Sequence, residues 1–270
     1  MKKKDVFVTT IKGLITGISL WISNISIASM LFSASSYNNV VNGFSSINKK
    51  NKELWYVAIP FIIAICFGLL AGFHLIDYFI NKFQFQTIML FIGFFIGGIV
   101  VVLKNNKIHF SKHNLFIPLI VVTLSLLFIT FLSDDVLIIK NKLLQSSLIG
   151  LISGISVLIP SFSYLTHNIS GKYEVVLNSL KHFNSFNDFL VIFLFVVVFI
   201  ISLLLISRII KKLLLINKNN LYLFIASLVL VNVIILILTI KPFTINFVTI
   251  FTSILAFLWG YIFAKNVEKE

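Results

Sequence analysis

Eight runs of apolar residues, parted by short polar stretches, make up most of this chain. They cover residues 11–34, 55–79, 86–103, 114–133, 144–170, 189–207, 221–240 and 243–264. A helix of about 20 residues crosses the roughly 30 Å hydrocarbon layer of a bilayer, so the pattern predicts an all-α, polytopic integral membrane protein. Two runs are unlike the rest. The first holds Ser19, Ser23, Asn24, Ser26 and Ser29, and the fifth holds Ser153, Ser156, Pro160, Ser161, Ser163, Thr166, His167 and Asn168. Backbone and side-chain polar groups at membrane depth need partners from protein or from a water-filled cavity. Pro160 also removes a helix hydrogen bond where the polar cluster begins. Both runs therefore read as broken or re-entrant hairpins.

The same two runs are copies of one another. Gly13 to Ile22 reads GLITGISLWI and Gly150 to Ile159 reads GLISGISVLI, with seven of ten positions identical. Further on, YNNVVN from Tyr37 faces YEVVLN from Tyr173. Internal repeats in an apolar chain mark transporter architectures. The expected organisation is a first repeat over residues 1–133, a linker over 134–143 and a second repeat over 144–270, with equivalent pairs Gly13/Gly150, Ser19/Ser156, Ser26/Ser163 and Tyr37/Tyr173. The N-terminal KKKD followed by an apolar run has the form of a secretory signal. Its recurrence in the interior argues for mature structure instead.

Composition and charge sharpen this picture. Of 270 residues, 59% are hydrophobic and 11% charged, where a soluble domain is nearer half and a quarter; mean hydropathy is +1.04. The formal net charge of +13 comes from lysines between apolar runs, which orient loops rather than bind nucleic acid. If all eight runs span, basic residues divide 13 to 9 across the membrane; if the two polar runs enter and return, they divide 16 to 6. The second split fits the positive-inside rule better. It leaves three spanning helices per half, an odd number, so the halves are expected to be inverted repeats in the cytoplasmic membrane.

The motifs also carry a resemblance. KGxxxGxS at Lys12 to Ser19, and GxxxGxxxLxPxxS at Gly150 to Ser163 followed by GKYEVVL at Gly171 to Leu177, resemble the two signature hairpins of a bacterial membrane family. That family was long known as domain of unknown function 368 and is associated with polyprenyl-phosphate translocation (PopT type). Its members carry paired motifs similar to PGxSGGT and PGxSGS, each followed by a GxY element. This chain has Ser23 to Ser29 in place of the first motif, Leu20 at the upstream acidic position, and Ser161 and Tyr164 at glycine positions of the second. The resemblance implies a transporter of an anionic isoprenoid lipid, undecaprenyl phosphate above all, in lipid-carrier recycling for the bacterial cell envelope. Membrane lipids would be its partners, a homo-oligomer its assembly, and no cofactor its requirement.

Candidate substrate-binding residues follow from both lines. Ser19, Asn24, Ser26, Ser29, Ser156, Ser161 and Ser163 offer neutral hydrogen-bond donors from the hairpins, while Lys12 and Arg208 offer full charge. His167 lies inside the second polar cluster and is a candidate for a proton relay, as imidazole is the side chain whose ordinary pKa falls nearest neutrality. His74 and Asp77, three apart on one helical face, are a second candidate for a proton relay. The competing reading of the serines is tight helix packing, for which small polar residues are favoured in membranes. His109, His113 and His182 have no ligand-spaced partners, and the single Cys66 excludes an intrachain disulfide. No G-x-S-x-G, H-E-x-x-H or P-loop pattern is present, so neither an enzyme nor a metal site is expected. Two other functions compete with polyprenyl-phosphate transport: an accessory membrane subunit descended from such transporters, and a carrier of a different anion.

Overall fold

The computed structural model describes residues 3–20, 22, 25–45, 52–109, 114, 116–132, 141–161, 174–181, 183, 185–238, 240 and 246–269. Among these there is no strand. The helices are α1 (Lys3–Ser19), α2 (Ile27–Ser33), α3 (Tyr37–Ser45), α4 (Lys52–Asn105), α5 (Phe116–Leu132), α6 (Lys142–Ser156), α7 (Glu174–Lys181), α8 (Phe186–Ile216), α9 (Lys218–Leu238) and α10 (Phe247–Lys269).

Four stretches are long and apolar enough to cross a membrane: Leu75–Asn105, Phe186–Ile216, Lys218–Leu238 and Phe247–Asn266. The run expected over 114–133 appears as the 17-residue α5, about 25 Å long at 1.5 Å per residue. The runs at 55–79 and 86–103 are one continuous element of 54 residues, broken at Phe83 (φ −137°, ψ 47°). A straight helix of that length would reach about 80 Å, far beyond a bilayer. The helix is kinked at the break, where the Thr87 hydroxyl lies 2.8 Å from the Phe83 carbonyl and 3.4 Å from that of Phe79. The second half repeats the device. Asn217 (φ −147°, ψ 78°) separates α8 from α9, and residues 52–82 match α8 in length.

The hairpin breaks fall where the polar clusters are. α1 ends at Ser19, and α2 starts afresh with Ser26 as N-cap, its hydroxyl accepting from the Ser29 amide at 3.1 Å. α2 closes in a Schellman turn, with Ser36 N–H on the Leu31 carbonyl, Ser35 N–H on that of Phe32, and Ser35 itself at φ 54°. In the second half α6 ends at Ser156 and the chain bends through Pro160 to Ser161. The expected return segment over residues 162–170, with Ser163 and His167, lies outside the described residues, as do Asn24 and Tyr173.

Glycines show how the helices run. A Cβ on Gly13 would meet the Phe61 carbonyl at 2.7 Å, and one on Gly150 would meet the Phe195 carbonyl at 2.6 Å. Four residues on, Gly17 lies against Gly68, and Gly154 against Ser202. Phe61/Phe195, Gly68/Ser202 and Phe83/Asn217 share one offset, so the copied hairpins pack on copied helices. Because later residues of α1 meet later residues of α4, the two helices are parallel, and α6 and α8 are parallel for the same reason. Two parallel helices that begin level require the chain between them to turn back. The halves also interlock. Gly93 of α4 packs on Phe257 of α10 and Gly97 on Tyr261, again parallel, while α5 packs on α9. Substituting Gly68 by Ala places a methyl group against the backbone of Leu14, which has no side-chain freedom with which to yield. Overpacking of this kind costs about 1–3 kcal/mol, so Gly68→Ala is expected to lower the unfolding free energy in mixed micelles by that amount, and an unchanged value would contradict the α1–α4 contact.

Candidate functional site

In the centre of the bundle, α9 passes beside the start of α2 and the bend after α6. Its sequence is apolar for most of its length, yet one amide, Asn232, is only 1% exposed. Burying an amide in so apolar a surround without partners costs several kcal/mol. Asn232 has partners from both halves. Its Nδ2 donates to Ser26 Oγ at 3.0 Å and to Ser29 Oγ, and its Oδ1 lies 2.8 Å from Ser161 Oγ. Ser161 Oγ also lies 2.8 Å from the Leu228 carbonyl. Serines of the first hairpin and of the second thus converge on one side chain of α9.

Counting protons shows what this cluster can do. Ser26 Oγ accepts from the Ser29 amide and from Asn232. Ser26 Oγ and Ser29 Oγ lie 2.7 Å apart and share one further hydrogen bond, which either can donate. At the other end Ser161 has one proton for two acceptors, Asn232 Oδ1 and the Leu228 carbonyl. The cluster is neutral and rich in hydroxyl groups. Ser161 supports it under strain. Its φ of 65° is uncommon for a residue with a Cβ, and the hydrogen bonds to Leu228 and Asn232 hold it there. Glycine-type geometry is thereby kept at this turn with a hydroxyl added.

A second set of contacts ties the halves together further along. Tyr37 donates to the Leu158 carbonyl at 2.7 Å, and Asn38 Nδ2 donates to the Tyr222 hydroxyl. Lys218 Nζ lies 5.7 Å from the Tyr222 ring centroid. Two buried atoms here, Ser33 Oγ and Asn38 Oδ1, have no hydrogen-bond partner among the described residues.

Beside the polar cluster lies a cavity of about 410 Å³ between α2, α3, the first half of α4 and α8. Ile27, Leu31, Val40, Phe61, Phe199 and Leu203 are among its lining residues, all of which are apolar. One wall begins at Ile27, the residue after Ser26. The recess is open at Ile200, which is exposed, and its lining offers a water-soluble group no hydrogen bond.

The remaining candidates divide clearly. Ser19 and Ser156 stand outside the cluster and make matching bonds to their own helices, Ser19 to the Thr16 carbonyl and Ser156 to that of Ser153, both at 2.7 Å. Lys12 is half-buried on α1, its carbonyl accepting from Thr16 at 2.8 Å. Arg208 is exposed on α8. Asp77 is exposed and accepts from Asn81 at 3.0 Å, while the side chain of His74 lies outside the described set. Sequence reasoning passed over Asn232. Its signal was there to read: a single amide deep inside an apolar span marks a functional or packing site by default. No protein-family model, curated protein or solved structure matches the chain.

Replacing Asn232 by Leu removes three interhelical hydrogen bonds. Such bonds average about 0.6 kcal/mol each within membranes, so Asn232→Leu is expected to lose about 2 kcal/mol of unfolding free energy in mixed micelles. Ser26→Ala/Asn232→Leu is expected to lose less than the sum of the single changes, because the two share a bond; strict additivity would show that they do not interact.

Proposed function

We propose that this chain is a membrane transporter built from two inverted repeats, and that it moves a polyprenyl phosphate, undecaprenyl phosphate above all, across the cytoplasmic membrane. The observation that carries the reading is a neutral, hydroxyl-rich cluster drawn from both halves, with a wholly apolar recess on the other side of α2. A lipid phosphate has both characters, a compact acceptor-rich head on a long hydrocarbon chain. Ser26, Ser29, Ser161 and Asn232 would face the head. Displacing Asn232 from the two serines frees further donors, so head binding and separation of the hairpins are the same event. Neutral donors bind an anion without fixing it by full charge, which suits a site that must also release.

The helix directions support the inverted arrangement. With α1 parallel to the first half of α4, and α6 parallel to α8, each hairpin enters and returns. Three crossings then follow in each half, and the second half of α4 becomes parallel to α10, as its contacts require. Eight simple spans would make both pairings antiparallel. Cysteines placed at positions 3 and 52 in a Cys66→Ser background are expected to react with an impermeant maleimide from the same, cytoplasmic side. Labelling from opposite sides would restore eight spans.

Transport itself is tested in proteoliposomes holding the native chain, Ser26→Leu/Ser163→Leu, or Asn232→Leu, with translocation of a polyprenyl phosphate as readout. The native chain is expected to translocate, and the variants to fall at least tenfold while remaining folded. A folded native chain that moves no lipid phosphate would favour the accessory-subunit reading.

A further inference from the structure

We infer that the cavity between α2, α3, α4 and α8 is the binding site for the hydrocarbon chain of a membrane lipid, and that the chain enters sideways from the bilayer past Ile200. The inference rests on the transport reading for its purpose and adds to it the tail site, its doorway and its direction of entry.

Three observations lead there. The lining is entirely apolar, which excludes a water-soluble occupant and any headgroup. Exposure differs across the lining: Ile200 is 48% exposed, while Leu203, Phe61 and Leu31 are buried. The cavity is therefore a recess with an opening at Ile200. That opening lies on α8, where only 17% of the most apolar window is buried. Phe193, Val196 and Ile200, spaced three and four residues apart, are all exposed and form one stripe on that helix leading to the opening. An occupant approaching along this stripe comes from lipid.

Ile27 and Leu31 line the recess from one face of α2, while Ser26 and Ser29 turn to Asn232 on the other, so the recess and the polar cluster are carried by opposite sides of one short helix. The recess also needs both halves, because Val157, Phe199, Ile200, Leu203 and Leu204 come from the second repeat and the remainder from the first. Relative movement of the halves would open or close it.

The test is photolabelling of the full chain in proteoliposomes by two probes, a polyprenyl phosphate and a diacyl phosphatidic acid, each carrying a benzophenone on its hydrocarbon chain. Inorganic phosphate serves as a competitor lacking the chain. Crosslinks are expected at the α8 segment containing Ile200 to Leu204 and at α2, without competition from inorganic phosphate. Two variants are compared with the native chain. Ile200→Trp blocks the opening at an exposed position where packing is little disturbed, and Leu203→Phe narrows the interior; each is expected to reduce labelling at least tenfold at unchanged folding. Labelling of the recess by both probes assigns it to lipid chains in general, and by the first alone to isoprenoid chains. Labelling scattered over the outer faces of α8 and α10, unaffected by either variant, would overturn the inference. Recess labelling with no translocation would leave the tail site standing and overturn the transport reading; translocation with an unlabelled recess would do the reverse.

Discussion

Much of this fold depends on how polar groups are partnered where no water is at hand. A buried amide such as Asn232 has two protons and two lone pairs to place, and in an apolar bundle only other helices can take them. The partners it finds are the N-cap hydroxyl of α2, the next serine along α2, and the hydroxyl at the bend after α6. Two of the three stand where a helix begins or the chain bends. Helix ends expose unpaired backbone groups, and Ser26 answers this at α2 by capping the Ser29 amide while its hydroxyl also accepts from Asn232.

The repeat makes the arrangement symmetric in outline and asymmetric at the centre. The hairpin helices pack on their long partners through equivalent positions, Gly13 on Phe61 and Gly150 on Phe195, and both long helices break at equivalent residues, Phe83 and Asn217. By that same offset the counterpart of Asn232 is Gly98. Gly98 has no side chain to offer and packs directly on the backbone of Ser33, whose hydroxyl has no partner among the described residues. A single amide therefore serves both hairpins. A site of this kind responds as a unit, since whatever displaces Asn232 from one half loosens its hold on the other.

How much of this could be read in advance follows from the physics of each signal. The apolar runs and the copied hairpin motif were plain, because bilayer thickness and gene duplication both leave long, regular traces. The breaks were legible from Pro160 and from the clustering of serines. Ser26, Ser29 and Ser161 were singled out on sequence, and the structure brings all three onto Asn232, a meeting the sequence did not reveal. Ser19 and Ser156 looked equally suitable on sequence, yet each bonds its own helix, because a serine in the last turn of a helix reaches a carbonyl three residues back more readily than anything across a gap. The merging of two runs into α4 was hidden, since Phe83 is an ordinary apolar residue whose backbone angles depend on the packing around it. Asn232 lacked a motif, a neighbour or a repeat counterpart to draw attention to it.

The polar cluster and the apolar recess share α2 but not a face of it. Ile27 and Leu31, four residues apart, line the recess, while Ser26 and Ser29 turn to Asn232 on the other side. The α2 backbone is therefore a wall between a hydroxyl–amide knot and a hydrocarbon-lined groove, and any shift of α2 is felt by both. Asn232 and Ser161 hold the knot from the second half, and Phe199, Ile200, Leu203 and Leu204 complete the groove from that half as well. Movement of one half against the other therefore reshapes the two together.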